Sequence, residues 1–302
     1  MSEASVQKQL FEAAGVRVVN STEVYPALHK TGDAGLPLLV VENRLGRAVI
    51  ALQGAQLMEY AATGKAALLW VSPLCLLEPG RSIRAGIPLC LPWFGPGKDG
   101  APQHGFARVM DWTLVGVEAR ADGATRLTLE LESDKTIHPV WPHAFRFRLE
   151  VVVGARLELR MRAENRSATA APFAFAMHTY FAVPNVAEAR VSGLEGTTFI
   201  DKIELPERKV QQGEIAITGL TDRIYLDVPI VQKIRTAEGT IRIESDTKCA
   251  VVWNAWTNDK NMADLGDGNH VGYICVERCD VADRAVTIAP GRAYECWMTL
   301  EN

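Results

Sequence analysis

The segment FRFRLEVVVGARLELRMR, residues 145–162, decides the fold class of this chain. It predicts two short strands, Phe145–Val153 and Arg156–Arg162, with a Gly-Ala turn between them. Strand signals of similar length recur from Leu38 onward, and the long amphipathic helices that alternate with strands in βαβ units are not evident. The sequence therefore predicts an all-β protein with the architecture of a sandwich or barrel.

The other predicted strands are short and are punctuated by Gly, Asp and Asn. They are Leu38–Val41, Ala48–Leu52, Ala67–Val71, Trp112–Glu118, Arg126–Glu132, Arg190–Gly193, Ile224–Val228, Val231–Thr236, Thr240–Ser245, Ala250–Trp253 and Ala293–Leu300. Ser5 to Ala14 predicts a short N-terminal helix, which Ser5 can cap and Gly15 ends. Because no repeat or linker divides the chain, residues 1–302 are predicted to form one domain, with residues 1–20 as an N-terminal extension.

Composition limits the classes of partner. The chain has 302 residues, of which 48% are hydrophobic, so it can bury a large core without disulfides. Its formal net charge of −4 argues against a nucleic-acid surface, which needs a basic stripe. Six cysteines lack CxxC or zinc-like spacing, and neither a signal peptide nor an apolar run of membrane length is evident. We therefore expect a cytoplasmic protein, a monomer, with no membrane partner.

A histidine lies in the strand-like run Phe173–Phe181. Successive side chains of a strand point to opposite faces, so His178 shares its face with Ala174 and Ala176, and the large apolar residues take the other face. The two alanines leave room beside the imidazole. This pattern predicts an accessible histidine above the sheet, although a hydrogen-bonded core histidine would show the same alternation.

A glutamate lies in a second run, Tyr273–Arg278. Alternation places Glu277 on one face with Tyr273 and Cys275, and leaves the aliphatic residues on the other face. A histidine and a glutamate on two sheet faces suit paired general acid–base catalysis. From alternation alone, an edge-strand glutamate with a structural role remains the simpler interpretation.

An ordered loop rich in proline, glycine and aromatic residues lies upstream, within residues 84–108. Such a composition makes a poor helix and a poor continuous strand. Loops on a rigid scaffold commonly carry binding groups, and two arginines with a histidine and an amide suit an oxyanion such as phosphate. Surface arginines in a structural loop are the alternative. The polar side chains that this loop presents are Arg84, Gln103, His104 and Arg108.

Six motifs, in order, resemble those of a known family. They are R-x-G-I-P-x-C-x-P-W-F-G-P from Arg84, Q-H-G-F-A-R from Gln103, H-T-Y-F from His178, T-D-R-I-Y from Thr221, V-V-W-N before Ala255, and C-V-E ending at Glu277. Together they resemble the hexose-6-phosphate mutarotases, or glucose-6-phosphate 1-epimerases, of the aldose 1-epimerase superfamily. The resemblance implies a galactose mutarotase-like β-supersandwich, no metal or cofactor, and interconversion of the α and β anomers of a small-molecule hexose phosphate.

The resemblance also implies roles for individual residues. Glu277 would be the base on the C1 hydroxyl and His178 the acid on the ring oxygen, with the roles exchanged on ring closure. Arg84 and Arg108 would hold the 6-phosphate. Further substrate contacts would come from Gln103, His104 and Asp222. Because Thr-Asp-Arg is also plausible turn chemistry, Asp222 could instead be a turn residue.

Two positions depart from the family pattern. Ala255 stands where the family often has proline, which we expect to alter only a loop. Arg278 stands where the family has a small residue after the glutamate. Alternation points Arg278 away from Glu277, yet its charge could still change the rim of the site or the sugar preference.

Other functions remain open from the sequence. A mutarotase for neutral aldoses would make the arginines structural, and a non-catalytic sugar-phosphate-binding protein would not need the acid–base pair. A glycoside hydrolase would usually need two carboxylates. Two local motifs carry little weight: Gly95–Gly100 matches G-x-G-x-x-G but lacks the strand and helix of a dinucleotide site. Asp264–Gly268 lacks the ligand spacing of a calcium loop and is interpreted as a turn.

Overall fold

Strands make up 47% of the computed structural model, which describes residues 11–203 and 207–302. Most of them belong to two large antiparallel sheets. We call the first the site sheet. Its strands are, in spatial order, Arg208–Val210, Thr198–Asp201, Thr221–Leu226, Cys249–Asn254, Tyr273–Asp280, Phe175–Met177 and Leu89–Cys90, and Tyr180–Ala182 also pairs with Tyr273–Asp280.

The second large sheet, called here the back sheet, has nine strands among the described residues. In spatial order they are Ile215–Ala216, Arg190–Ser192, Val231–Thr236, Gly239–Ser245, Ala293–Glu301, Leu157–Asn165, Phe145–Val153, Thr125–Ser133 and Thr113–Ala119. The two strands of the opening segment pair directly with each other, from Phe145 opposite Asn165 to Val153 opposite Leu157. The hairpin therefore lies inside the back sheet, with further strands on both of its sides.

Two smaller sheets and short helices complete the described part of the chain. A four-stranded sheet contains Val16–Asn20, Pro37–Asn43, Gly46–Ala51 and Gln56–Ala62, and a two-stranded one contains Ala171–Phe173 and Val286–Ile288. The helical segments are the α-helix Ser21–Val24 and the 3₁₀ turns Pro26–Leu28, Lys98–Gly100, Ala107–Val109, Trp256–Asn261, Asn269–Gly272 and Ala282–Arg284. Within the described ranges, no helix is long and apolar enough to span a membrane.

The main core lies between the site sheet and the back sheet. One cluster of buried side chains joins Phe175 and Val276 of the site sheet to Leu149 and Ile243 of the back sheet, and it extends to Leu39 of the four-stranded sheet. Removing apolar surface from water is the dominant favourable term for such a layered fold. The prediction of an all-β, galactose mutarotase-like sandwich is confirmed.

Individual predictions agree to different degrees. Phe145–Val153 and Val231–Thr236 have the predicted bounds. The strand predicted at Ala67–Val71 is wrong: Leu69 and Val71 form only isolated bridges, to two different segments, so no ladder extends along them. Most of the predicted helix Ser5–Ala14 lies outside the described residues. Residues 11–13, which the structure describes, are helical.

Candidate active site

All seven predicted site residues line one cavity of about 330 Å³. This volume lies within the range of roughly 300–1,000 Å³ that is typical of small-molecule sites. The cavity lies on the face of the site sheet that points away from the main core, where smaller buried clusters include Ala176 and Cys275. The residues in question are Arg84, Gln103, His104, Arg108, His178, Asp222 and Glu277.

The imidazole of His178 and the carboxyl group of Glu277 are direct neighbours. Nε2 of His178 lies 3.3 Å from Oε1 of Glu277. The register explains this contact, because Met177 pairs with Arg278 and one further antiparallel step sets His178 opposite Glu277. The strand is interrupted at this point, where the backbone N–H of His178 donates to the carbonyl of Pro88 instead. Alternation and register thus place His178 and Glu277 together on the cavity face.

Both groups are buried and each keeps one polar atom without a hydrogen-bond partner, Nδ1 of His178 and Oε2 of Glu277. Burial raises the pKa of Glu277 well above its usual value, and the charge of Asp222 adds to this effect. Burial also lowers the pKa of His178 well below its usual value, helped by the nearby His104, Arg84 and Arg108. Both directions favour the neutral forms of the two groups, a protonated carboxyl beside an uncharged imidazole.

His104 is a second buried imidazole beside His178, with the ring centres 5.7 Å apart. Its backbone has a positive φ of 62°, and the N–H of Gly95 donates to its Nδ1 over 3.2 Å. Burial and then the charges of Arg108, Lys202 and Arg84 lower the pKa of His104 to about 3. It is therefore a neutral hydrogen-bonding group.

Two glycines of the sequence motifs let the backbone close around these histidines. Gly105 has φ of 76°, and a Cβ there would lie 1.9 Å from the carbonyl oxygen of Leu91. Gly86 has φ of 52°, and a Cβ there would lie 1.9 Å from the carbonyl oxygen of Leu57. No side chain fits at either position, so both loops depend on glycine.

The two predicted arginines have different partners. Arg84 makes a bidentate ion pair with Asp264, with Nε–Oδ2 and Nη2–Oδ1 distances of 3.1 and 3.0 Å, and donates to the hydroxyl of Tyr180 over 2.9 Å. Arg108 donates only to the backbone carbonyl of Gln103, over 2.8 Å, among the contacts of the described residues. Arg84 is therefore compensated by a carboxylate, and Arg108 is not.

Asp222 lies in the strand Thr221–Leu226, so the alternative interpretation of this residue as part of a turn is wrong. Its Oδ2 lies 2.7 Å from Nζ of Lys202, which also lines the cavity. Lys202 is not among the residues predicted from the sequence, because a single lysine in a polar segment carries no pattern that distinguishes it from a solvated side chain.

Other cavity residues were also missed. Tyr180 stacks on His178, with ring centres 5.0 Å apart and planes 11° from parallel, and the H-T-Y-F motif contained it. Trp253 lies edge-on to His178 at 6.0 Å, within the V-V-W-N motif. Asp264, set aside as part of a turn, binds Arg84 from across 180 residues of sequence. Motif membership could have indicated the two aromatic residues, but not the carboxylate.

Arg278 faces away from the cavity, as alternation predicts, and it is not among the residues that line it. The side chain is fully buried on the core side of the site sheet. There it donates to Thr247, to Gln232 and to backbone carbonyls that include that of Ser245. Ala255 is buried as well, at the entry to the 3₁₀ turn Trp256–Asn261.

No cluster of three or more His, Cys, Asp or Glu side chains suited to a metal ion is found in residues 11–203 and 207–302. The six cysteines are free and buried. A histidine and a carboxyl group at a cavity can exchange protons with a bound ligand. Guanidinium groups can bind the hydroxyl groups of the ligand or a phosphate.

Comparison with known proteins defines the class. The family profile for aldose 1-epimerase matches residues 37–301. The chain therefore belongs to the aldose 1-epimerase family, and it is a carbohydrate epimerase acting on a small-molecule sugar.

The names of individual relatives agree with this class. A protein of Salmonella typhimurium, provisionally named glucose-6-phosphate 1-epimerase, is 34% identical over 261 residues, which cover 84% of this chain and 87% of the relative. A relative from Cenchrus ciliaris with the same provisional name is 34% identical over 263 residues, covering 82% and 78%. A crystal structure from Salmonella typhimurium, described provisionally as a mutarotase, superposes with a TM-score of 0.83 at 30% identity and covers 98% of both chains.

Proposed function

We propose that this protein interconverts the α and β anomers of a hexose 6-phosphate, with glucose 6-phosphate as the preferred substrate. The observation that carries the proposal is the His178–Glu277 pair, 3.3 Å apart, with unpartnered polar atoms, in a cavity that also contains the uncompensated Arg108. The names of the relatives support the same substrate.

The anomeric centre inverts when the ring opens to the aldehyde, the C1–C2 bond rotates and the ring closes. Opening removes the proton of the C1 hydroxyl and delivers one to the ring oxygen. In the proposed mechanism Glu277 takes the first proton and His178 supplies the second. Burial favours a protonated Glu277 and a neutral His178, and transfer of the carboxyl proton to Nε2 of His178 then makes a carboxylate base and an imidazolium acid. On closure the two roles exchange.

Phosphate binding at Arg108 would assist this transfer. The charge of Arg108 is among the causes that hold the pKa of His178 low. A phosphate dianion beside the guanidinium compensates that charge, so the proton affinity of His178 rises toward its ordinary value. The bound substrate then favours the charged form of the pair, which is the working form.

The experiment is two-dimensional NMR exchange spectroscopy of the anomeric signals of glucose 6-phosphate, with and without the protein. We expect cross-peaks between the anomers to grow with protein concentration, and inorganic phosphate to suppress them competitively. Unchanged exchange at micromolar protein would contradict the proposal.

One observation favours a second candidate, a mutarotase for neutral aldoses. The pairs Arg84–Asp264 and Lys202–Asp222 compensate two of the three cations that line the cavity among the described residues. In that case glucose and galactose would exchange faster than glucose 6-phosphate, and phosphate would not inhibit. The ratio of kcat/KM for glucose 6-phosphate to that for glucose decides between the candidates.

We also propose that the chain works as a single domain in the cytoplasm. The core cluster shared by all four of the described sheets supports the first point. The second is supported by six cysteines that are all free, as expected in a reducing compartment.

A further inference from the structure

Lys202 and Asp222 form an ion pair at the cavity. Asp222 lies in the strand Thr221–Leu226, and Lys202 follows the neighbouring strand Thr198–Asp201. The Lys202 backbone N–H donates to the Asp222 carbonyl over 2.9 Å, and their side chains meet at 2.7 Å. The pairing of the two strands therefore sets the position of both groups.

The pair is held together less firmly than the other ion pair of the cavity. Arg84 and Asp264 share two hydrogen bonds, whereas Lys202 and Asp222 share one. The two side chains are 36% and 23% exposed, so either can find another partner without crossing the core. An ammonium group on a flexible stem is also easier to redirect than a planar guanidinium held on two sides.

Lys202 and Arg108 both line the cavity that contains His104. The charges of both act on the ring of His104, and Nζ of Lys202 stands 6.0 Å from the centre of the Phe94 ring, which contacts His104 at 4.7 Å. An anion beside His104 would therefore find two cations, one of them without a carboxylate partner and the other bound by a single contact.

We propose that Lys202 is a specificity-determining residue that leaves Asp222 to bind the phosphate of the substrate beside Arg108, and that this exchange frees the Asp222 carboxylate for a sugar hydroxyl. The inference rests on the proposed function and adds a phosphate ligand and a partner exchange to it. A neutral sugar has no phosphate that could bind Lys202, so with such a substrate the ion pair between Lys202 and Asp222 stays intact.

The exchange also has a consequence for the acid–base pair. Asp222 raises the pKa of Glu277 and Lys202 lowers it. When Lys202 turns to the phosphate, the charge of Asp222 acts on Glu277 with less compensation, which opposes transfer of the Glu277 proton to His178, whereas the same phosphate favours that transfer by compensating Arg108. Phosphate recognition and proton transfer are thereby linked through one lysine.

The test measures the affinity for inorganic phosphate by isothermal titration calorimetry near pH 8, where phosphate is a dianion. Four proteins are compared: wild type, Asp222→Asn, Lys202→Met and the double variant. We expect Asp222→Asn to bind phosphate more tightly than wild type, because Lys202 has lost its internal partner. In that background, Lys202→Met should weaken binding about tenfold or more, because a charge-assisted contact to the anion is lost.

The comparison within the Asp222→Asn background is decisive, since neither protein contains the carboxylate that Lys202 would otherwise neutralise. Equal phosphate affinity of the Asp222→Asn protein and the double variant would overturn the inference. Lys202→Arg in the same background should restore most of the affinity. The matched control is Arg284→Met, which breaks an exposed 2.6 Å pair with Asp227 outside the cavity and should leave phosphate binding within about twofold.

Failure of the inference and failure of the proposed function have different signatures. The inference alone is refuted if the wild-type protein accelerates anomer exchange of glucose 6-phosphate but the phosphate affinity does not change when Lys202 is replaced. A protein that shows the predicted dependence on Lys202 but does not accelerate anomer exchange refutes the proposed function alone. A wild-type protein that does not bind phosphate contradicts both.

Discussion

Glu277 and Arg278 are adjacent residues on opposite faces of the strand Tyr273–Asp280, and both carry buried ionisable groups. On the core face, the Arg278 guanidinium makes five hydrogen bonds, one for each N–H. On the cavity face, the carboxyl group of Glu277 makes one polar contact among the described residues, with His178, and its Oε2 has no hydrogen-bond partner. One strand thus presents a fully satisfied charge to one side and an unsatisfied group to the other.

The difference separates a structural role from a chemical one. Buried polar groups in native proteins are nearly always hydrogen-bonded, and an exception needs an explanation. Arg278 joins the site sheet to the back sheet through acceptors such as Gln232, so its bonds stabilise the fold. The free oxygen of Glu277 faces a cavity where a substrate hydroxyl could bind. We expect substitutions at the two positions to separate activity from stability.

The largest expected effect is the loss of activity in Glu277→Gln. The amide cannot accept the proton of the C1 hydroxyl, so kcat for glucose 6-phosphate should fall about 10³–10⁴-fold, or about 4–5.5 kcal/mol in the barrier. The fold should remain intact, because glutamine has the same shape and burial favours the neutral form of the carboxyl group that it replaces. NMR exchange spectroscopy and thermal unfolding of the same sample measure the two effects. Retention of near wild-type kcat would refute the proposed role of Glu277.

The next effect is a loss of stability in Arg278→Met. Methionine fills much of the volume but leaves buried acceptors, including the carbonyls of Ser245 and Thr247, without donors. We expect the free energy of unfolding to fall by about 3–4 kcal/mol, measured by urea denaturation. The folded variant, assayed at low temperature, should keep kcat within about threefold.

Arg160→Met is the matched control for that measurement. Arg160 belongs to the back-sheet strand Leu157–Asn165 but is exposed. Its replacement should change the free energy of unfolding by less than about 0.5 kcal/mol. If Arg278→Met were as stable as this control, the five hydrogen bonds would not stabilise the fold.

The same contrast exists inside the cavity, between Arg108 and Arg84. Arg108 has no carboxylate partner among the described residues, whereas Arg84 is bound by Asp264 and Tyr180. Arg108→Met should lower kcat/KM for glucose 6-phosphate about 10–100-fold and leave that for glucose nearly unchanged. Arg84→Met should affect both sugars alike, because its partner Tyr180 stacks on His178. Equal losses on both sugars for Arg108→Met would favour the neutral-sugar alternative.

Sequence reasoning predicted those parts of the fold where local pattern and tertiary environment agree. Strands such as Phe145–Val153 consist largely of residues with high strand propensity and end at turn residues. Gln56–Ala62 was missed, because Gln, Leu, Met, Glu and Ala are good helix formers, and its pairing with Gly46–Ala51 overrides that preference. Ala67–Val71 was predicted wrongly for the converse reason: its strand-like residues have no continuous partner.

The site could be predicted where it follows from alternation or from motifs. The faces of His178 and Glu277 follow from the two-residue period of a strand, and the loop residues from family resemblance. The partners that compensate Arg84 and Asp222, namely Asp264 and Lys202, come from other segments through the tertiary fold. No local pattern encodes such a pairing, so the sequence could not distinguish the compensated arginine from the uncompensated one.

The smallest expected effect is a dependence on pH of the stability difference between wild type and Glu277→Gln. The folded pKa of Glu277 is raised well above 4.5 by burial, so its neutral form stabilises the folded protein fully below about pH 4.5. That contribution is lost as the pH rises through the folded pKa, where the buried group must ionise. Glutamine does not titrate, so the free energy of unfolding of the variant should rise relative to that of wild type as the pH rises from about 4.5.

Because a change of one in a pKa corresponds to about 1.4 kcal/mol, we expect the gain to exceed about 1 kcal/mol once the pH is above the folded pKa. Urea denaturation of both proteins between about pH 4 and pH 9 measures it. Glu238→Gln, an exposed residue in a turn of the back sheet, should show no such trend. A pH-independent difference would mean that folding does not raise the pKa of Glu277.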